Sequence, residues 1–412
     1  MKIGNSLRLV AVGSAGFLAG SLLTFSLQGS ARIVARPERS TASGVPLPRI
    51  VPEEPQTFLA WTPGGLPGSF GRRLDSLRAV RRSVIVASDN TWLTRSESAQ
   101  GEIVDRPKPG FAIPLEVAAV SPPAYAPFLP PPDRGVALSL AEGQGVLGAS
   151  SAQLRGLGPG AVLWFGSVRV EVAAVLPDEL VGAHELMVSR ATGRRIGVRR
   201  DRYALIQPRD EATDRSLTRE IRPLLPPGLP VRVRAPGETP YFRQGDAVLP
   251  PVKIKELFGE FSARPDPARS GYLIIDASWE REHIMTEHVP LLGTVTCNVA
   301  LFRQIRGVIH ELIAEHLASA IQSFSGCYAR RFTNRDPDLS ISHHSWGIAL
   351  DINVPQNPFG APPHQDRRMV RVFERWGFIW GGTFLTPDGM HFEYRRPPSG
   401  RLPALSVAPG RR

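Results

Sequence analysis

Apolar and polar positions alternate most cleanly late in this chain, where Ile348, Leu350 and Ile352 interleave with Ala349, Asp351 and Asn353. A period of two predicts a strand with one face in a core, which turns Asp351 to the other face beside the small Ala349. His344 stands on the approach to this strand, just ahead of Gly347, where a sharp bend is permitted. Residues 378–380 and 390–394 also read as strands, with Gly381-Gly382 and Pro387-Asp388-Gly389 in the loop between them. Helical spacing appears twice. Leu301, Ile305, Val308, Leu312 and Leu317 follow a cap at Asn298, and Met369, Val370, Phe373 and Trp376 form one face of a helix over 366–377. Residues 272–275 make a further short strand.

The pattern is weaker before residue 250. Val168, Val170 and Val172 alternate with Arg169 and Glu171, preceded by Leu163-Trp164-Phe165 and a turn at Gly166-Ser167. Val231 and Val233 repeat the alternation. A short helix is expected over 151–157, ending at Gly158-Pro159-Gly160, and 122–133 reads as a proline-rich insertion. The expected organisation is a β-rich α+β domain over 58–240 followed by an α+β domain over 250–396. Residues 32–57 read as a flexible linker and 397–412 as a disordered tail. The 58–240 region shows no phosphate loop, nucleophile elbow or metal cluster. A wall-binding or partner-binding module is the default expectation for it, and a spacer the alternative.

Ahead of the linker, Lys2 and Arg8 precede an uncharged 19-residue run over 9–27. Its length approaches the ~20 residues that span a bilayer. Residues 1–31 are therefore a signal anchor or a cleaved signal peptide. With positive charge on its inner side, the bulk of the chain is expected outside the cytoplasm, single-pass on the cell membrane or secreted.

Composition changes this picture little. Of 412 residues, 42% are hydrophobic and 21% charged, so most of the chain should fold. The net charge of +11 suits anionic lipid or wall polymers, or reflects compositional bias. No basic helix with interleaved aromatics appears, which argues against nucleic acid. Cys297 and Cys327 can pair in an oxidising compartment or remain separate buried thiols, and the absence of a CxxC pair excludes a zinc ribbon.

The candidate chemistry lies in the C-terminal region. His344, Asp351 and His391 would supply two imidazoles and a carboxylate with a fourth position open, the donor set of a catalytic zinc. Such an ion lowers the pKa of water towards ~7. Asp388, three residues before His391, is the expected general base. Arg331 is the expected partner for negative charge on a substrate carbonyl, with Arg330 as its rival. Ser342 is read as orienting the His344 loop and His343 as a solvated neighbour. Glu393 either orients a ligand histidine or is exposed at the strand edge. Trp346 and Trp380 are read as buried aromatics in preference to groove residues.

Ser342-x-His344-x-x-Gly347-x-Ala349-x-Asp351, followed by Trp380-Gly381-Gly382 and Asp388-Gly389-Met390-His391-Phe392-Glu393, resembles the zinc D-alanyl-D-alanine carboxypeptidase family (VanY-like, peptidase family M15). The resemblance covers roughly residues 250–396. It implies the small α+β fold shared with the hedgehog signalling domain, with His344, Asp351 and His391 as zinc ligands, Asp388 as acid/base and Arg331 at the substrate carbonyl. The implied substrate is the stem peptide of peptidoglycan. D-alanyl-D-alanine carboxypeptidase action is the leading expectation. An L-alanyl-D-glutamate-type endopeptidase, or a non-catalytic wall-binding module on the same fold, are the alternatives.

Overall fold

The computed structural model describes residues 56–238, 241–246 and 249–396. The expected membrane segment (1–31), nearly all of the linker and the tail after 396 lie outside the described residues. Among the described residues no helix is long and apolar enough to cross a membrane.

Val80–Leu93 is the spine of the middle region. Its first half pairs antiparallel with Asp201–Pro208 and its second half with Ile113–Val120. Phe58–Trp61 and then Arg232–Arg234 extend the sheet beyond Asp201–Pro208. On the other side follow Leu186–Ser189, Gln144–Gly148, Val168–Leu176, Val162–Phe165, Arg95–Glu97 and Ile103–Asp105, completing an 11-stranded mixed sheet. The expected hairpin is present, with Phe165 opposite Val168 across Gly166-Ser167. Val170 and Val172 are buried, as their alternation requires.

Two expectations for this region are corrected. The short helix runs Ala149–Arg155 and stops at Gly156, whose left-handed φ of 64° ends it before Leu157. The proline-rich stretch folds into consecutive helical turns, Pro122–Tyr125, Ala126–Phe128 and Pro131–Asp133. These turns carry Tyr125, Phe128 and Leu129 into the core, because proline suits the first turn of a helix as well as it suits a linker.

In the C-terminal region a four-stranded antiparallel sheet has the order Phe324–Gly326, Ala349–Ile352, His391–Tyr394, Phe378–Trp380. Ile348, Leu350, Ile352 and Phe392 enter one core with the helices Phe302–Ala314 and Arg367–Arg375. The helices contribute Ile305, Val308, Leu312, Met369, Val370 and Phe373; Leu317 is buried beyond the end of the first. The helices come close at Gly307, where a Cβ would lie 2.2 Å from the Trp376 ring. Asn298 caps the 3-10 turn leading into the first helix by accepting from the Ala300 N–H. Asp366 caps the second through the Arg368 N–H. Cys297 and Cys327 form a disulfide that ties the hairpin Ile284–Val289/Gly293–Asn298 to the segment preceding the His344 loop.

A buried ionic cluster joins the two regions. Lys255, on the helix Pro251–Phe258, donates to the Pro114 carbonyl at 2.6 Å and meets Glu185 at 2.8 Å and Glu260 at 2.9 Å. Arg155 reaches the same two carboxylates and Asp105. Burial alone would raise the Glu260 carboxyl, but Lys255 and Arg155 outweigh it and hold its pKa down. Removing one cation leaves buried carboxylates short of charge. Lys255→Met should therefore lower the unfolding free energy by about 3–5 kcal/mol in urea titrations. A loss of about 1 kcal/mol or less, the size expected of an exposed pair, would count against this role.

Candidate metal centre

Three ligating groups converge at one end of the four-stranded sheet. The strands Ala349–Ile352 and His391–Tyr394 pair so that Asp351 lies directly opposite His391. His344 arrives on the 3-10 turn His343–Trp346, which ends at Gly347 in the left-handed region. A Cβ at Gly347 would also lie 2.6 Å from the Asn298 backbone nitrogen, so this bend requires glycine on two counts. Ser342 opens the turn by accepting from the His344 N–H at 3.4 Å, the orienting role expected of it.

One nitrogen or oxygen from each of His344, Asp351 and His391 lies within 4.8 Å of the others. Asp351 Oδ1 is 3.3 Å from His344 Nε2 and 3.3 Å from His391 Nδ1. Each imidazole has its other nitrogen committed elsewhere. His344 Nδ1 is 2.7 Å from the Cys327 carbonyl, an acceptor only, so the proton sits on Nδ1 and the Nε2 lone pair is free. His344 Nε2 is buried and makes no hydrogen bond. His391 Nε2 lies 3.1 Å from the Glu393 carboxylate, which leaves Nδ1 facing Asp351. Two imidazole lone pairs and a carboxylate oxygen, backed by a carbonyl and a second carboxylate, fit a divalent cation such as zinc.

The surrounding charges are strongly coupled. Burial works to raise the Asp351 carboxyl, but contacts with His344 and His391 outweigh it and hold its pKa far below the usual carboxylate range. Glu393 is likewise depressed against its burial, first by His343 and then by His391. His343 Nδ1 stands 2.7 Å from Glu393, which corrects the expectation that His343 is merely solvated. Glu393 is 5% exposed, so it is the buried, histidine-orienting alternative that the structure shows. Strand period places His391 and Glu393 on one face, a signal present in the sequence. Nothing in the sequence marked His343.

Asp388 and Arg331 line the same cleft. The Asp388 loop is held by Gly381, whose carbonyl accepts from the Asp388 N–H at 2.9 Å. A Cβ on Gly381 would lie 2.6 Å from the Asp388 carbonyl oxygen, so the glycine permits this approach. Asp388 Oδ1 is buried without a hydrogen-bond partner, and desolvation raises the carboxyl's pKa. Arg331 faces Asp351 and Asp388 electrostatically, while burial draws its own pKa down. Arg330 instead points to the surface and pairs with Glu280 at 3.5 Å. Trp380 is buried and donates to the Gly389 carbonyl at 2.8 Å, bracing the turn between Asp388 and His391. Trp346 is buried as well, at the floor of the cleft.

The cleft encloses about 680 Å³, and its far wall is formed by the middle region, including Trp61, Asn90 and Arg202; this region extends beyond 240 to Arg243 and Asp246, which Arg234 and Arg232 hold against it. Sequence reasoning assigned no residue before 250 to the site. These positions share no motif and meet only through tertiary packing.

Residues 336–394 match the family model of D-alanyl-D-alanine carboxypeptidase, peptidase M15. No curated protein matches the chain. Among solved structures, the periplasmic region of MacB from Actinobacillus actinomycetemcomitans is 14% identical. It covers 41% of this chain and 81% of its own, with a TM-score of 0.28. The extracellular domain of the noncanonic ABC-type transporter YknZ from Gram-positive bacteria is 13% identical, covering 43% of this chain and 98% of its own, with a TM-score of 0.29.

In the metal-free protein, burial lowers the pKa of His391, but hydrogen bonds to Asp351 and Glu393 raise it on balance to about 10. A raised imidazole contributes stability that is complete below its unfolded pKa of about 6.5 and is lost as pH climbs through the folded value. The Tm of metal-free protein should therefore fall as pH rises from about 6.5 to about 10, and Glu393→Gln should flatten that slope. A Tm that rises over this window would contradict the assignment.

Proposed function

We propose that this chain is a zinc-dependent peptidase acting on peptidoglycan stem peptides, with D-alanyl-D-alanine carboxypeptidase action as the leading reading. The observation that carries it is the convergence of His344 Nε2, Asp351 and His391 Nδ1 beside an unpartnered, desolvated Asp388 carboxylate. Zinc held by those three residues would supply a water acidified towards about pH 7 and a positive charge for the substrate carbonyl.

The chain's own groups do the remaining work. Asp388 accepts the proton of the attacking water and returns it to the leaving amine, a role favoured by a carboxyl whose pKa desolvation raises above the ordinary value. Arg331 stabilises negative charge developing on the carbonyl oxygen; its guanidinium lines the cleft, where its side chain makes a 3.5 Å hydrogen bond to the Phe332 carbonyl. Glu393 fixes the ring of His391, and the Cys327 carbonyl fixes that of His344. The cleft of about 680 Å³ is walled by both regions, a volume that can take peptide beyond a terminal residue. That feature favours the alternative, an L-alanyl-D-glutamate-type endopeptidase. The third reading, a non-catalytic wall-binding module, gives no reason to retain Asp388 and Arg331 beside the ligands. The proposed activity lies outside the cytoplasm, on the membrane or secreted, a reading supported by the uncharged run over 9–27 and the Cys297–Cys327 disulfide.

Digestion of defined muropeptides with mass spectrometry of the products decides among these readings. Release of a single D-alanine indicates the carboxypeptidase, an internal cut the endopeptidase, and no cleavage by zinc-loaded protein the binding module. His344→Ala should lose bound zinc. Asp388→Asn should keep zinc and lose turnover by about 10²–10⁴-fold; loss of zinc with Asp388→Asn would instead make Asp388 a ligand.

A further inference from the structure

Two loops flank the metal centre, and each is gripped by the middle region. The loop over 381–388 carries Asp388. Within it the Leu385 N–H donates to Asp246 Oδ2 at 2.8 Å, and the Leu385 side chain packs against the middle region's core. Asp246 is itself held by Arg232 at 3.1 Å. The Gly381 carbonyl accepts from the N–H groups of both Phe384 and Asp388, so a displacement of Leu385 passes directly to Asp388.

The loop over 333–341 leaves and rejoins the site between Arg331 and Ser342, whose backbones are bonded at 3.1 Å. At its tip the Asp338 carbonyl accepts from Arg200 at 2.5 Å and from Arg202 at 3.0 Å, and the Asp338 carboxylate pairs with Arg200. Arg202 is fixed in turn by the Ser88 carbonyl at 2.8 Å and Asp89 at 2.7 Å. Asn334 and Arg335 in this loop both have φ near +55°, a conformation that side-chain-bearing residues keep only where their surroundings hold them.

We propose that the middle region is a working part of the peptide cleft: Asp246 and the Arg200–Arg202 pair are positioning residues that hold the two loops bearing Asp388 and flanking Arg331, and the peptide lies between the two regions. This rests on the peptidase reading above. The Arg200–Asp338 pair is exposed and adds little to global stability, whereas Asp246 and Arg202 are part-buried where they hold the loops. The effect of these contacts should appear in turnover. A peptide bound in the cleft meets Asp388 and Arg331 from one side and the wall around Asn90 and Arg243 from the other.

The test compares full-chain, zinc-loaded wild type with Asp246→Ala, Asp246→Asn and Arg200→Ala on defined muropeptides. It reads kcat, KM, zinc content and hydrogen exchange at the Leu385 amide. In Asp246→Ala, kcat should fall by about tenfold to a hundredfold with zinc content unchanged, because small displacements of a reacting group are costly. Leu385 should also exchange faster. Asp246→Asn keeps an acceptor oxygen and should restore both readouts. Arg200→Ala, at a side chain 32% exposed, serves if Asp246→Ala does not fold, and should lower kcat with zinc retained. Unchanged kcat in both Asp246→Ala and Arg200→Ala overturns the proposal, as does a loss that asparagine fails to restore. If zinc-loaded wild type cleaves no peptide while Leu385 still loses protection in Asp246→Ala, the peptidase reading fails and the grip on the loop stands.

Discussion

Asp351 and His391 face each other across two adjacent antiparallel strands, and the rest of the site depends on that register. Side chains in a strand alternate between faces, so a slip of one residue would send His391 into the core and bring Phe392 out. The register is secured from the buried side, where Leu350 lies opposite Phe392 and both are almost fully excluded from water. Apolar burial thus fixes the polar geometry. The same period sets Glu393 behind His391, and the turn at Gly347 swings His344 in from outside the sheet.

Each imidazole at the centre is oriented by a fixed acceptor, the Cys327 carbonyl for His344 and the Glu393 carboxylate for His391. The disulfide holds Cys327 against the neighbouring hairpin and so restrains the acceptor for His344. In low dielectric the close contacts among these side chains reverse the effect of burial, Asp351 and Glu393 acting on His391, His344 and His391 on Asp351, and His343 and His391 on Glu393. Asp388 behaves differently because it lacks such a partner, and desolvation governs its pKa. Two acids in one cleft are therefore driven apart, one towards permanent ionisation and one towards exchange of a proton.

The middle region belongs to this arrangement through contacts that differ in kind. The Lys255–Glu185–Arg155–Glu260 cluster is buried and fastens the two regions together. The contacts from Arg200, Arg202 and Asp246 are single polar links that reach the loops beside the centre. The first group sets where the regions meet, and the second sets what that meeting does to the cleft.

Local pattern in the sequence was enough for the strand of Leu350 and Ile352, the helix faces of Ile305 and Phe373, and the candidate ligands His344, Asp351 and His391. Periodicity and motif spacing act over a few residues and are written along the chain. Whether Glu393 is buried or exposed, and whether Arg331 or Arg330 turns to the cleft, depended on which neighbours each meets. His343 gained its partner the same way. The grip of Asp246 on Leu385 joins residues 139 apart, and that of Arg202 on Asp338 joins residues 136 apart. No local rule of spacing encodes such pairs, because they exist only once separate cores have packed; the candidate ligands could be picked out along the sequence, and their convergence and the cleft around them were decided by the fold.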